Sequence, residues 1–310
     1  MKLTPKQIKE VKSQGFLHTK DGNFSMRIIT VNGVLTSKQM QNLCEVADKF
    51  GNGKISFTSR LTVELPGIKY EDIETVKEYV AKDGMSTGGT GSKVRPVVAC
   101  KGTVCHFGNI DTQGIAAKIH HDYYEGWRQV TLPHKFKIAV GGCPNNCVKP
   151  DLNDLGIVGV KIPNFQSDKC RGCLKCMPAE SCPIKISKVE NGKLNIDKSQ
   201  CNNCGVCVGK CPFGAIPDGK VMYKIYIAGR WGKKIRLGTP VSQLFEENEV
   251  YDMIEKTMLF FKDQGISGER LSDTVERLGW ENVEKILLSN ELLERKEEIL
   301  AKETKGGASC

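Results

Sequence analysis

Two short cysteine pairs, Cys100 and Cys105 in RPVVACKGTVC and Cys143 and Cys147 in GGCPNNC, offer four thiolates from two loops. Four such sulfurs can close around one cubane [4Fe–4S] cluster, one on each iron. Between the pairs, residues 135–140 are expected to form a strand. Its alternation puts Lys135 and Lys137 on one side and Phe136 and Ile138 on the other. With Arg95, the lysines can face an anion held beside the cluster. Two lysines on a strand, taken alone, describe a solvated surface. Their occurrence between both cysteine pairs is what gives them weight.

A second block of cysteines lies downstream. Cys201, Cys204, Cys207 and Cys211-Pro212 give C-x2-C-x2-C-x3-C-P, the run of bacterial ferredoxins. Cys170, Cys173, Cys176 and Cys182-Pro183 repeat it with a longer last spacing. In such modules the fourth cysteine of each run crosses to the other cluster. Cys170, Cys173, Cys176 and Cys211 therefore form one set, and Cys201, Cys204, Cys207 and Cys182 the other. Zinc also binds CxxC pairs, but three close cysteines plus Cys-Pro, occurring twice, fit it poorly. Two clusters in one small fold give a short path for electrons.

The 310 residues can bury a sizeable core, and two or three domains are expected. No apolar run reaches membrane-spanning length, and MKLTPKQIKEVK has no signal-peptide core, so a cytoplasmic protein with no membrane partner is expected. Fourteen cysteines there point to metal ligation rather than disulfides. The formal charge of +9 invites a nucleic-acid reading. It counts thiols as neutral, however, and each oxidised cluster with its thiolates carries about −2. The basic excess then balances acidic cofactors and an anionic substrate, and no nucleic-acid partner is expected.

The positioning elements follow in order. Residues 5–13 predict a short amphipathic helix, and Phe24–Thr30 a strand ending at an Asn32-Gly33 turn. Thr36 with Gln39 forms a capping box before a helix that Gly51 stops, with Cys44 read as a buried structural thiol. Residues 54–58 and 61–65 read as strands interrupted at Ser59-Arg60, and Pro66-Gly67 ends the second. Ile73, Val76 and Val80 mark a helix. Gly84–Ser92 reads as a flexible connector, with a backbone-amide cradle for carboxylates as the alternative. Strands are expected over 155–160 and 221–228, then a turn at 229–232 feeding Lys233, Lys234 and Arg236. Helices run from about Val250 to Lys302, and a mobile tail carries a free Cys310.

ACKGTVC followed by GGCPNNC resembles the signature of the sulfite and nitrite reductases that couple siroheme to a [4Fe–4S] cluster. FTSRLTVELPGI (57–68), KVRPVVAC and LPHKFK (132–137) are similar to further segments of that family, so the likeness covers nearly the whole chain. With the ferredoxin insertion, the chain is most similar to the catalytic C subunit of bacterial anaerobic sulfite reductases. The resemblance implies an α+β fold: a sulfite/nitrite reductase-type ferredoxin-like half domain (1–80) and a siroheme-binding α/β domain in two segments (81–165 and 220–302). A bacterial 2[4Fe–4S] ferredoxin module (166–219) is inserted between them, and a tail (303–310) follows.

By the same resemblance, Cys100, Cys105, Cys143 and Cys147 hold the catalytic cluster, and Cys147 bridges it to the siroheme iron. Arg60, Arg95, Lys135 and Lys137 line the face where the anion binds. Arg230, Lys233, Lys234 and Arg236 are candidates for the siroheme carboxylates, with a hairpin surface as the alternative. Arginine supplies fixed charge and paired hydrogen bonds, and lysine can deliver protons. Two departures stand out. Four residues separate Cys100 from Cys105 where the family has five or six. His134 replaces an arginine; a siroheme contact, a proton donor or an exposed side chain all fit.

The implied reaction is six-electron reduction of sulfite to sulfide, with nitrite to ammonium as the alternative. A siroheme-bearing electron-transfer subunit without catalysis, or a plain polyferredoxin, would be other classes. The implied cofactors are siroheme and three [4Fe–4S] clusters. No nucleotide-binding glycine fingerprint follows an expected strand. The electron donor is therefore external, a ferredoxin or a flavin- and NADH-binding subunit. Larger relatives carry two copies of this unit, so a homodimer or a paralogous subunit is expected to complete the site.

Overall fold

The computed structural model describes residues 3–306. The chain divides into two units, each assembled from separated stretches. One comprises residues up to Val98, Ile115–Ala139 and the chain from Met253 on; the other comprises Ala99–Gly114 and Val140–Asp252.

The first unit starts with α1 (Pro5–Ser13), whose Thr4 and Gln7 form a reciprocal capping box. Strands β1 (Phe16–His18) and β2 (Phe24–Ile29) follow, then α2 (Ser37–Phe50), capped by Thr36 and Gln39 as expected. Next come β3 (Ser56–Phe57), β4 (Val63–Ile68), α3 (Ile73–Ala81) and β5 (Ser86–Thr87). The strands pair in the order β1-β2-β4-β3, with β5 on β2. Phe16, Phe24, Met26, Ile28, Leu65 and Ile68 of the sheet pack on Leu43, Val46, Val76 and Val80 of the helices, all fully buried or nearly so.

Two local expectations are corrected. Strand β4 continues through Pro66-Gly67 instead of ending there. Partner β3 pairs only with Val63 and Glu64, so no ladder bond on that side requires the N–H that Pro66 lacks. Cys44 is exposed, because α2 turns Leu43, Val46 and Ala47 inward and carries Cys44 past that stripe.

The two-residue β6 (Val98–Ala99) leads into the second unit. Helix α4 (Thr112–Ile119), extended by a wider π turn over His120–Glu125, returns to the first unit. Strand β7 is Ile138–Gly141. It is shorter than the expected 135–140 strand, since residues 135–137 pair only through the Val94–Phe136 bridge. Strand β8 (Leu155–Pro163) then opens the body of the second unit.

The insertion carries a one-turn helix α5 (Met177–Glu180) and a hairpin of β9 (Ser187–Glu190) and β10 (Lys193–Ile196), turned at left-handed Asn191 and Gly192. Strands β11 (Gly219–Ile227) and β12 (Thr239–Pro240) complete a sheet of order β12-β11-β8-β7-β6. Val158, Val160 and Met222 form a small core on it.

Helices α6 (Glu247–Gln264), α7 (Leu271–Leu278), α8 (Trp280–Leu288), α9 (Glu291–Glu294) and α10 (Lys296–Ala301) close the chain. The expected stripe Val250, Met253, Ile254, Met258 and Phe261 is buried. Lys305 pairs with Ile266, so the tail expected to be mobile from residue 303 is fastened this far, and Cys310 lies outside the described residues. No helix among the described residues is long and apolar enough to cross a membrane.

Candidate functional site

The first two cysteines of the second unit leave β6 on a tight loop. The Cys100 N–H donates to the Val140 carbonyl (3.1 Å). Residues Gly102–Val104 wind into a single 3-10 turn that ends at Cys105. The other pair follows β7, where Asn146 takes a left-handed conformation (φ 57°) that asparagine tolerates well. Its amide donates to the Asp151 carboxylate (2.9 Å).

The two loops meet backbone to backbone. A methyl group on Gly142 would stand 2.8 Å from the Gly102 Cα, and one on Gly102 would stand 2.9 Å from the Gly142 Cα. The Gly142 N–H donates to the Cys100 sulfur (3.2 Å).

Thr112, fully buried at the start of α4, braces the same loops. Its hydroxyl donates to the Cys100 carbonyl (2.6 Å) and accepts from the Thr103 N–H (3.3 Å). Thr112→Val keeps the shape and removes both bonds, leaving the Cys100 carbonyl only the longer bond from the Gln113 amide (3.5 Å). The expected loss is about 1–3 kcal/mol of stability, read as a lower denaturant midpoint; an unchanged midpoint would deny Thr112 this role.

The thiols stand in sets. Burial raises the pKa of Cys143, the Asn145 N–H opposes it, and the Cys100, Cys147 and Cys105 thiols raise it further. In the insertion, burial raises Cys176, with Cys170, Cys173 and Cys211 adding to the shift against the Ala179 N–H. Burial also pushes Cys207 up to about 11, helped by Cys204, Cys201 and Cys182. Cys182 and Cys211 thus each neighbour the triplet of the other run. Bare thiolates repel one another, and bound cations would reverse that sign.

Two sulfurs of the insertion are met by backbone N–H groups. Burial would raise Cys182, but the N–H groups of Ile186, Ile184 and Lys185 and the Ser187 hydroxyl bring it below the usual thiol range. The Cys170 sulfur accepts from the Leu194 N–H (3.3 Å). Among the described residues no three acidic, histidine or cysteine side chains converge on a point suited to one metal ion. A cubane spreads its four thiolates over four irons. Thiolate-forming side chains with N–H···S donors fit such a cluster chemically.

The cations belong to the first unit. Arg60 lies in the loop between β3 and β4. Its guanidinium donates to the Pro96 carbonyl (3.0 and 2.6 Å) and the Ile138 carbonyl (3.0 Å), the chain neighbours of Arg95 and Lys137. The Arg95 N–H donates to the Phe136 carbonyl (2.8 Å), between the two lysines. All four cations therefore hang on one short piece of paired backbone. Phe136 and Ile138 are fully buried, whereas Lys135 and Lys137 are half-buried on the other side, as the alternation predicts. His134 is half-buried too, and its Nδ1 accepts from the Lys135 N–H (2.8 Å).

The Gly84–Ser92 segment is fastened, not loose. The Gly89 carbonyl accepts from Arg95 and from Arg27 (3.1 Å), the Gly89 N–H donates to the Tyr124 hydroxyl (3.1 Å), and the Gly91 carbonyl accepts from Arg95 (2.9 Å). Glycine count alone suggested freedom; carbonyls crowded by guanidinium groups remove it. Arg27, held by Glu64 (2.6 Å), and Tyr124 carried no sequence signal for this role.

In the second unit, Arg230 and Arg236 pair backbone to backbone across a hairpin (2.8 and 2.9 Å). The Arg236 guanidinium donates to the carbonyls of Ala228 (2.9 Å) and Leu237 (3.1 Å) and to the Thr239 hydroxyl (3.0 Å), so it braces the hairpin. Lys149, missed by sequence reasoning, places its ammonium 5.8 Å from the Trp231 ring on this same hairpin.

Residues 18–83 match the nitrite/sulfite reductase ferredoxin-like half domain, and residues 90–296 match the nitrite and sulphite reductase 4Fe-4S domain. The chain belongs to the nitrite and sulphite reductase family. Within it, the chain is 30% identical over 287 residues to the coenzyme F420-dependent sulfite reductase of Methanocaldococcus jannaschii. That match covers 91% of this chain but only 44% of the relative, so the chain spans under half of that protein's length. It is 31% identical over 247 residues to the C subunit of the anaerobic sulfite reductase of Salmonella typhimurium, covering 73% of this chain and 70% of the relative. The crystal structure of dissimilatory sulfite reductase I superposes with a TM-score of 0.69 at 22% identity, over 85% of this chain and 68% of that one. The half domain and the 4Fe–4S domain of the family are thus both present.

Proposed function

We propose that this chain reduces sulfite to sulfide with six electrons and six protons, releasing three waters. The observation that carries the reading is the gathering of Cys100, Cys105, Cys143 and Cys147 on two glycine-locked loops. The set of Arg60, Arg95, Lys135 and Lys137 on one backbone bracket supports it.

Siroheme, when bound, supplies an iron that takes the substrate and a conjugated ring that shares electrons with the adjoining cluster. Cys147 would hold that iron together with the catalytic cluster, and Arg230, Lys233 and Lys234 would meet the carboxylates. Arg236, which also braces the hairpin, would join them. Two further clusters would occupy the insertion, for three in all.

Arg60 and Arg95 have rigid, always-charged guanidinium groups that hold an oxyanion and set its orientation. Lys135 and Lys137 deliver protons from Nζ to departing oxygens. In a homodimer, or with a paralogous subunit, the cations of one copy would serve the thiols of its partner. Electrons would enter the insertion from an external ferredoxin or a flavin- and NADH-binding subunit in the cytoplasm.

Nitrite reduction to ammonium is the second reading, favoured by the family's own description, which covers both anions. Anaerobic turnover with a reduced viologen, sulfite and nitrite in parallel, separates them. Sulfide at the higher kcat/KM supports the proposal; faster ammonium production moves the assignment to nitrite. Siroheme-loaded protein that turns over neither anion would overturn catalysis.

A further inference from the structure

Strand β8 is the floor on which two ligand loops rest. Gly159 and Lys161 are two residues apart, so they share one face of the strand at a spacing of about 6.6 Å. At Gly159, an added methyl group would stand 2.7 Å from Ile110 and 2.8 Å from the Gly142 carbonyl. The catalytic cysteine loops therefore reach β8 there.

At Lys161, the N–H donates to the Asn203 carbonyl (2.7 Å), and the residue forms a parallel bridge with Cys204. Gly205, left-handed at φ 77°, brings its Cα so close that a methyl group would stand 2.7 Å from the Lys161 Cβ. This is a ligand loop of the insertion.

Asn109 spans the two. Its side-chain amide donates to the Cys204 carbonyl (3.3 Å) and the Gly159 carbonyl (3.4 Å). Its main-chain N–H donates to the Gly142 carbonyl (2.8 Å). Gly142 directly precedes Cys143, and its own N–H donates to the Cys100 sulfur. From Cys204 to Cys143 the path is therefore one residue and two hydrogen bonds. No comparable tie from the Cys170, Cys173, Cys176 and Cys211 set to these loops occurs among the described residues' hydrogen bonds.

We propose that Asn109 is the junction by which electrons pass from the Cys182, Cys201, Cys204 and Cys207 set to the Cys100, Cys105, Cys143 and Cys147 set. The inference rests on the iron–sulfur reading above. It makes the first of these the exit from the insertion and the Cys170 set the entry side. Each passage oxidises the exit set by one electron and reduces the catalytic set by one. No proton crosses, and a low-potential one-electron donor refills the insertion. Asn109 touches no substrate; it is a positioning residue for transfer.

The test uses the loaded protein and its Asn109→Leu and Asn109→Ser variants. A flash-generated viologen radical supplies less than one electron per chain. Freeze-quench electron paramagnetic resonance then follows the electron from the insertion to the catalytic cluster. Both variants should slow that passage several-fold, with line shapes, reduction potentials and iron content unchanged. Wild-type rates in iron-replete variants would overturn the inference.

A second measurement holds even where Asn109 variants fail to load. In otherwise wild-type protein, Cys204→Ser must alter the insertion signal that is spin-coupled to the catalytic cluster. Alteration of only the uncoupled signal would overturn the inference. Wild-type protein that takes up no siroheme and no catalytic cluster would instead defeat the functional reading.

Discussion

Gly142→Ala is expected to purify with about eight irons per chain in place of about 13, and with no turnover. The cause is space, not backbone conformation. The new methyl group would lie 2.8 Å from the Gly102 Cα, 3.3 Å from the Thr112 methyl group and 3.5 Å from the Cys100 sulfur. None of these is the loose end of a flexible chain. One loop must move away, and the Gly142 N–H to Cys100 sulfur bond goes with it. Four thiolates closing on one cubane cannot absorb a separation of that kind. The siroheme iron would be lost with the cluster, because Cys147 is proposed to hold both. The insertion's cysteines lie on other loops and should keep their iron. Full iron and full turnover in this variant would show that the two loops do not need to touch.

Lys137→Gln is expected to lower kcat by about 10²–10⁴-fold, the usual worth of a placed proton donor. The iron content and visible spectrum should stay as they are, because Lys137 contributes no ligand. Buried Phe136 and Ile138 hold the backbone on either side, so the substitution should not move the neighbouring cations. Lys137→Arg makes the sharper comparison. Arginine keeps the charge but does not release its proton. It should restore KM and leave kcat low. Recovery of kcat by arginine would mean that Lys137 acts by charge alone, and near-wild-type turnover in the glutamine variant would remove it from the site.

Local chemistry was legible in the residues, and long-range chemistry was not. The Thr36–Gln39 capping box and the side on which Lys135 and Lys137 lie both depend on neighbours a few positions away. The cysteine runs were legible because their spacing is short and repeats within the sequence. The Gly102–Gly142 contact was not, since each glycine reads alone as a turn residue. The reach of Asn109 to Cys204 joins segments that no periodicity relates. The charge of Arg236 was legible, but the grip of its guanidinium on the carbonyls of its own hairpin was not. Arg60 shows the same. Its charge was legible, but its hold on the Pro96 and Ile138 carbonyls depends on residues far along the chain.

The discontinuous make-up of the two units also fixes a timetable for synthesis. The first layer, β1 to β5 with α1 to α3, draws its core from residues 11–85 and can close early. The rest of the first unit cannot close until the helices beyond Met253 have been made. By then every cysteine from Cys100 to Cys211 has already been translated. Ligands for metal are thus on hand while part of the scaffold is still open. Contacts between distant segments form late and slowly. All of these cysteines belong to the second unit, whose last residue is Asp252, so that unit can close around its metal before the first unit is complete.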